Sequence, residues 1–500
     1  MFADHDFNPV HEDKPGDGDL IQDLDLSTLW AAAANGDQTI HTAVRTAMLE
    51  PLHDPSQIIY RQDVLADCLA RPDVIAALYA LARDTMHQEH EIRRAGFFSH
   101  SSEALLNRSV AALQLFVTAL KRLRVIADQH AEGFSSAGFR RFFDGLLVEL
   151  DDQYFVEITE RLRVLQFSDG LLASASLGSH SQGTDYRLRV PRKQNRSRLI
   201  PRRIPVKRPA YSRTMPRDDD GAHQDLAGLR DRILATAAGS LAQAAEHILE
   251  FFTAVRTELA FYLGCLQLHD HFTARNLPVC RPDPRLAETR LTARGLYDPC
   301  LGLRSPYPVQ GNDLNADGKP LIIITGANQG GKSTFLRSLG IAQLMMQAGL
   351  PVAADSFSAS TVAAVYTHYA REEDATMTSG KFDEELDRMS QIAHRIPPHS
   401  LLLCNESFAA TNEREGADIA TDVLFAFRRF GITVAFVTHL YELARRFEEQ
   451  DSGTTLFLRA DRSEDNRPSY RLHAAPPQPS SQGQDLYRQT FPTAVEDGHS

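Results

Sequence analysis

The sequence predicts a multidomain chain: an α-helical part interrupted by a small β element, then an α/β domain built around a P-loop. Three observations carry this. Between about residues 20 and 133, 139 and 167, and 223 and 272, apolar residues recur at helical spacing, as in Leu105, Leu106, Val110, Leu113, Phe116, Val117 and Leu120. Between the last two of these stretches, Gly170 to Gly178 and Asp185 to Val190 read as the two strands of a β-hairpin. Beyond residue 320, the apolar runs Leu321–Thr325, Leu401–Cys404 and Thr433–Val437 alternate with helical segments, the pattern of a parallel sheet covered by helices.

Taken in order, residues 1–20 are rich in Asp, His, Gly and Pro and read as a flexible acidic tail. Residues 21–167 form a first helical part and 168–218 the hairpin with a basic arm. Residues 219–284 form a second helical part, 285–472 the α/β domain, and 473–500 a low-complexity tail. The 500 residues fit about three domains. Hydrophobic residues at 43% and charged residues at 24% exclude a disordered or collagen-like chain. No apolar run approaches the roughly 20 residues of a bilayer-spanning helix, and the polar N-terminus is unlike a secretory signal, so the expectation is a cytoplasmic protein with no membrane partner. Five cysteines without a CxxC spacing indicate reduced thiols, not a disulfide framework or a structural zinc site.

The formal charge of −12 weighs against a polyanionic partner until its distribution is considered. Tyr186 to Arg217 holds 12 Lys or Arg and no Asp or Glu, which leaves 41 basic against 65 acidic residues elsewhere. Its prolines and arginines favour an extended arm, and its alternative reading is a solvated insertion without a ligand.

Gly326-Ala327-Asn328-Gln329-Gly330-Gly331-Lys332-Ser333 fits GxxxxGK[ST], after an apolar strand and before a helix opening at Thr334. Such glycines permit a turn whose successive backbone N–H groups point at phosphate oxygens, reinforced by the helix N-terminus. Lys332 is expected at the β and γ phosphates of ATP and Ser333 at Mg²⁺. A chance glycine-rich turn does not explain both flanks. Asn405 and Glu406 end the strand Leu401–Cys404, with Glu406 the candidate general base. Asn405 stands where an Asp is usual, and as a neutral amide it accepts hydrogen bonds from magnesium-bound water without adding charge. Weaker magnesium binding and lowered turnover are therefore expected. Thr438-His439 closes a third buried strand, where His439 is placed to sense the γ-phosphate.

Together these motifs resemble the MutS family of DNA mismatch repair ATPases, of the ABC class. Thr325 to Thr334 is similar to the family's TGPNMGGKST, Asn405 to Thr411 with Gly416 to its DE(I/L)GxGT segment, and Thr438-His439 to its closing TH. Lys381-Phe382-Asp-Glu-Glu385-Leu386 is similar to its STFxxEM signature. Pro51 to Gln62 resembles the approach to the family's core, and Arg294 to Pro299 the approach to its ATPase. The resemblance spans about residues 25 to 460. It implies that the helical parts are the core and lever and that 168–218 is a DNA-gripping clamp carrying Arg187, Arg189, Arg192, Lys193, Arg196, Arg198, Arg202 and Arg203. It also implies a homodimer whose nucleotide sites receive Ser379, Lys381, Phe382 and Glu385 in trans.

Departures accompany the match. The family's mismatch-recognition and connector domains precede the core, and the resemblance begins too near Met1 to leave room for either, so the chain reads as a shortened relative. Phe155-Val-Glu157 matches the FxE wedge of the mismatch reader but sits mid-helix, as a core Phe beside a solvated Glu. Gly380-Lys381 replaces the signature's Ser-Thr pair, removing a hydroxyl that Ser379 or the Lys381 cation replaces in the proposed site. The expected function is ATP hydrolysis in a composite dimer site that controls a clamp on duplex or branched DNA, in repair or recombination with further protein partners, nucleoid-associated if bacterial. The alternative is a low-turnover, nucleotide-dependent switch or scaffold acting through protein partners.

Overall fold

The structure is a computed structural model that describes residues 2, 7–95, 101–167, 170–178, 183–189, 220–286, 289–326, 329–371, 380–451, 453–462 and 468–478. Helices α1 (Asp17–Asp23), α2 (Leu26–Ala34), α3 (Gln38–Leu49) and α4 (Pro55–Ala70) open the chain. Longer ones follow: α5 (Pro72–Ala95), α6 (Ser102–His130), α7 (Ala137–Glu149) and α8 (Asp152–Val164). The hairpin of β1 (Ala173–Leu177) and β2 (Gly183–Leu188) precedes α9 (Asp220–Thr273). Then come β3 (Asp283–Arg285), β4 (Leu291–Leu296), α10 (Pro299–Arg304), β5 (Asn312–Asn315) and β6 (Leu321–Gly326). They are succeeded by α11 (Lys332–Ala348), β7 (Ser356–Ser360), β8 (Val365–Tyr369), α12 (Lys381–Arg395) and β9 (Leu401–Asn405). The last are α13 (Glu413–Arg429), β10 (Thr433–Val437), α14 (Tyr441–Asp451), β11 (Thr455–Arg462) and β12 (Pro468–Ala474). Among the described residues no helix is long and apolar enough to cross a membrane.

The chain divides into two compact units, and the division differs from the sequence expectation of one helical part over 21–167. One unit holds 1–72, 136–138 and 257–500, the other 73–135 and 139–256. The helical period is the same on both sides of Pro72, so periodicity carries no signal of which core each helix serves.

In the first unit, the sheet order β12-β11-β6-β10-β9-β8 places five parallel strands beside one antiparallel edge strand, β12. The parallel strands β6, β9 and β10 are continuous apolar runs because helices cover both faces. Phe408, Leu424, Phe436, Leu443 and Phe447 anchor the core on one side. A second sheet, β3-β7-β4-β5, was not anticipated, since its strands are short and carry charged and turn residues. The N-terminal residues expected to be a flexible tail also pack here. Phe2 is buried and stacks on Phe7 at 4.7 Å, with the Arg61 guanidinium 4.4 Å above its ring. The ring nitrogens of His11 lie 2.8 Å from Asp17 and 3.1 Å from Glu50, and α1 packs on β8. Two aromatic rings and a set of ion pairs fix a segment whose composition is that of a tail. At the other end, β12 runs on to Ala474, into the expected low-complexity segment.

In the second unit the expected helix over 139–167 breaks at Leu150, and the Asp151 carboxylate caps α8 by accepting from the Tyr154 N–H. Phe155 is buried in α8 and Glu157 is exposed and paired with Arg161, so this triplet is the helix-packing pair expected of it. The base of the hairpin is seated: Leu171 and Leu188 pack on Leu106 and Val110 of α6 and on Leu234 and Ala238 of α9.

Candidate nucleotide site

Parallel pairing of β6, β10 and β9 brings three motifs to one edge of the sheet. The register aligns Val437 with both Ile324 and Asn405, so the ends of the three strands are level. β10 lies between the P-loop strand and the strand of Asn405, so these two are next-nearest neighbours. The crevice at the carboxyl ends of such strands is where ligands bind in α/β sheets.

The loop from Gly326 to Gly331 turns because its glycines tolerate what other residues do not. Gly326 has a φ of 108°, and a Cβ there would lie 2.3 Å from the Ala460 carbonyl oxygen of β11. Gly331, with a φ of 86°, caps α11. Gln329 has a φ of 60° and completes the turn, while Ala327 and Asn328 lie outside the described residues. Gly330 lines the same cleft, and Thr334 follows on the first turn of α11.

Lys332 is buried, and its ammonium donates to the Gly326 carbonyl at 3.0 Å and stands 3.5 Å from His439 Nε2. Burial lowers its pKa, while the neighbouring Glu406 carboxylate acts in the opposite direction. Ser333 Oγ donates to Asn405 Oδ1 at 2.8 Å. His439 Nε2 lies 3.0 Å from Glu406 Oε1. Lys332, Ser333, Asn405, Glu406 and His439 are thus one connected cluster. Hydroxyl, amide oxygen and carboxylate are hard oxygen donors, and this set fits Mg²⁺.

A cleft of about 730 Å³ opens beside the cluster. Besides the motif residues, Leu296, Leu301, Tyr307, Val309 and Tyr470 line it, together with the polar Asp298, Ser305, Gln310 and Asn312. Tyr470, in a left-handed conformation (φ 56°), arrives from β12 and passes over Gly331. Sequence reasoning missed Tyr307, Val309 and Tyr470, because they sit in segments with neither motif nor period, one of them 137 residues beyond the P-loop serine.

The signature residues divide. Ser379 lies outside the described residues. Lys381 opens α12 after Gly380, and Phe382 is half-buried against the core of its own chain. Glu385 is buried within its own chain. Burial raises its pKa, offset by the nearby N–H of Ala410, by Lys381 and by the N–H of Phe408. The reason is helical phase: positions 382, 385 and 389 share the face that α12 turns to its own sheet.

Of the clamp residues, Arg187 and Arg189 are exposed on the hairpin, Arg187 beside Asp185 at 3.1 Å and Arg189 donating to Ser174 Oγ at 2.8 Å. Arg192, Lys193, Arg196, Arg198, Arg202 and Arg203 lie outside the described residues.

Comparison with known proteins matches both parts of the chain. The MutS2 N-terminal domain matches residues 53–275 and MutS domain V matches 322–482. A DNA mismatch repair protein MutS from Granulibacter bethesdensis is 27% identical over 452 residues, covering 83% of this chain and 47% of the relative. An Endonuclease MutS2 from Streptococcus uberis is 35% identical over 163 residues, 32% of this chain and 21% of the relative. A MutS protein homolog 4 from Mus musculus is 29% identical over 160 residues, 32% of this chain and 17% of the relative. The chain thus spans less than half the length of these relatives. Two family matches, one over the helical part and one over the P-loop domain, establish that the chain belongs to the MutS family.

Proposed function

We propose that this protein is a DNA-binding ATPase in which ATP hydrolysis, in a site completed by a second copy, controls a grip on duplex or branched DNA during repair or recombination. The observation that carries the reading is the convergence of Lys332, Ser333, Asn405, Glu406 and His439 at one sheet edge beside a cleft of the size that small-molecule ligands such as nucleotides occupy.

The chemistry follows from the positions. The P-loop N–H groups and the Lys332 ammonium hold the phosphates, and the aromatic wall of Tyr307 and Tyr470 takes the base. Glu406 accepts the proton of the attacking water, and His439, within hydrogen-bond reach of its carboxylate, orients it. Ser333 and Asn405 would hold Mg²⁺, which neutralises charge developing on the phosphates when bound. Of the signature, Lys381, the first residue of α12, is the one we assign to contact with a second copy. The hairpin, seated on α6 and α9, carries the cationic segment to DNA, where Lys and Arg neutralise phosphates.

The test compares ATP turnover of wild type and Glu406→Gln, with homoduplex, mismatched, single-stranded and four-way-junction DNA at fixed salt. The reading requires DNA-stimulated turnover in wild type. It also requires retained nucleotide binding with turnover reduced on the order of 100-fold or more in the variant. Asn405 favours a second reading, a low-turnover switch acting through protein partners. Nucleotide binding with negligible turnover on every DNA would select it.

A further inference from the structure

The turn that aims Glu406 is held in a conformation that non-glycine residues rarely adopt. Glu406 has a φ of 59° and Phe408 a φ of 64°. Such strain persists where the surroundings over-determine it and gathers at functional sites. Three ties hold this turn. The Glu406 N–H donates to the Val437 carbonyl of β10 at 2.9 Å. Phe408 is fully buried in the core and stacks on the His368 ring at 6.0 Å. Ser407, between them, meets His368 itself.

His368 stands on β8 with no exposed surface. Its Nδ1 lies 2.6 Å from Ser407 Oγ, and its Nε2 lies 3.1 Å from the carbonyl oxygen of Glu385 in α12. Proton counting assigns the roles. A carbonyl only accepts, so Nε2 carries the proton and donates to Glu385; in the neutral ring Nδ1 then accepts from the Ser407 hydroxyl. Burial, reinforced by the Arg388 cation, pushes the imidazole down to about 4, which keeps the ring neutral at pH 7. Ser407 Oγ also stands 2.9 Å from the His368 carbonyl oxygen, so its single hydroxyl proton is shared between that oxygen and Nδ1, two acceptors of one residue.

We infer that His368 is a positioning residue: by bridging the backbone of α12 to Ser407 it locks the left-handed turn that presents the Glu406 carboxylate to the P-loop. It touches no substrate and acts through Glu406. The same bridge makes α12 and Glu406 mechanically one piece, so displacement of α12 reaches the base. The catalytic part of the inference rests on Glu406 being the general base, while the locking of the turn does not.

The test uses His368→Leu, which keeps the volume and removes both hydrogen bonds, and His368→Asn, whose side chain can still bond to Ser407. Hydrogen–deuterium exchange across 405–411 is measured in the full chain without nucleotide, and kcat and KM are measured with ATP. The expected result is exchange faster on the order of tenfold in the Leu variant and near wild type in the Asn variant. With it comes a fall in kcat on the order of 10- to 100-fold at KM within about twofold, recovered in large part by Asn. On a Glu406→Gln background His368→Leu has no further effect on kcat. Unchanged exchange in the Leu variant overturns the inference whether or not the protein hydrolyses ATP; faster exchange with unchanged kcat overturns its catalytic part. Should Glu406→Gln itself retain turnover, the base assignment fails, and the exchange measurement still decides the role of His368.

Discussion

Glu406 shows how a residue legible in sequence depends on neighbours that are not. Its place at the end of an apolar run downstream of a P-loop marks it as a candidate base, but its left-handed backbone, the buried Ser407 and the His368 bridge leave no trace in the motif. His368 lies 38 residues upstream on another strand, and a His in an apolar run has many ordinary explanations. Its titration is testable. The unfolded imidazole takes a proton near its ordinary 6.5, whereas the folded one resists until about 4. The unfolded chain therefore binds more protons in that window, and the stability His368 contributes at pH 7 is lost as pH falls from about 6.5 towards 4, in total about 3 kcal/mol. Denaturation midpoints between pH 7 and pH 4.5 will show a shallower slope in His368→Leu than in wild type; equal slopes would refute this. A second prediction concerns Asn405. Its Oδ1 accepts from Ser333 at 2.8 Å, the place of a magnesium-side carboxylate without its charge. Asn405→Asp is expected to lower the Mg²⁺ concentration for half-maximal ATP turnover on the order of tenfold. No change would mean that position 405 lies outside the ion's reach.

At the scale of elements, strands β6, β9 and β10 fall where the sequence predicts them, because a continuous apolar run bounded by polar residues has few other uses. β3, β4, β5 and β7 do not announce themselves: their residues include Asp, Arg, Asn and Ser, and β3 and β4 both pair with β7, more than 50 residues further along the chain. The same lack of local signal hid the docking of residues 7–20, where single contacts such as Thr46 Oγ1 donating to the Pro9 carbonyl at 2.8 Å do what an apolar period would otherwise do. Two elements invite measurement. The approach of Gly326 to Ala460 ties the P-loop to β11, so Gly326→Ala should destabilise the domain by more than about 1 kcal/mol, read as a lowered thermal midpoint. A midpoint within error of wild type would mean the backbone yields freely. Helix α13 starts at a cap in which Asn412 Oδ1 accepts from the Glu415 N–H at 2.9 Å and Glu415 accepts from Asn412 Nδ2 at 3.0 Å. Asn412→Ala should cost about 1 kcal/mol in the same assay.

For the whole molecule, the charge of −12 is an average over unlike parts. The proposed grip on DNA predicts affinity that falls steeply with salt, with a log–log slope of about −0.9 for each phosphate neutralised. Deleting Arg187 to Arg217 should flatten that slope and weaken binding at all sequences alike; an unchanged slope would remove the basic segment from the interface. The sequence by itself determined the family and the helical and P-loop parts, and it singled out Lys332, Ser333, Asn405, Glu406 and His439 as candidates, because these motifs tie particular residue types to fixed local spacing. Tertiary structure alone decided where the division into units falls and which way Glu385 faces. It alone set Tyr307 and Tyr470 beside the P-loop and put His368 behind Glu406. These depend on register, helical phase and packing between segments far apart in the chain, and such pairings have no local spacing to betray them.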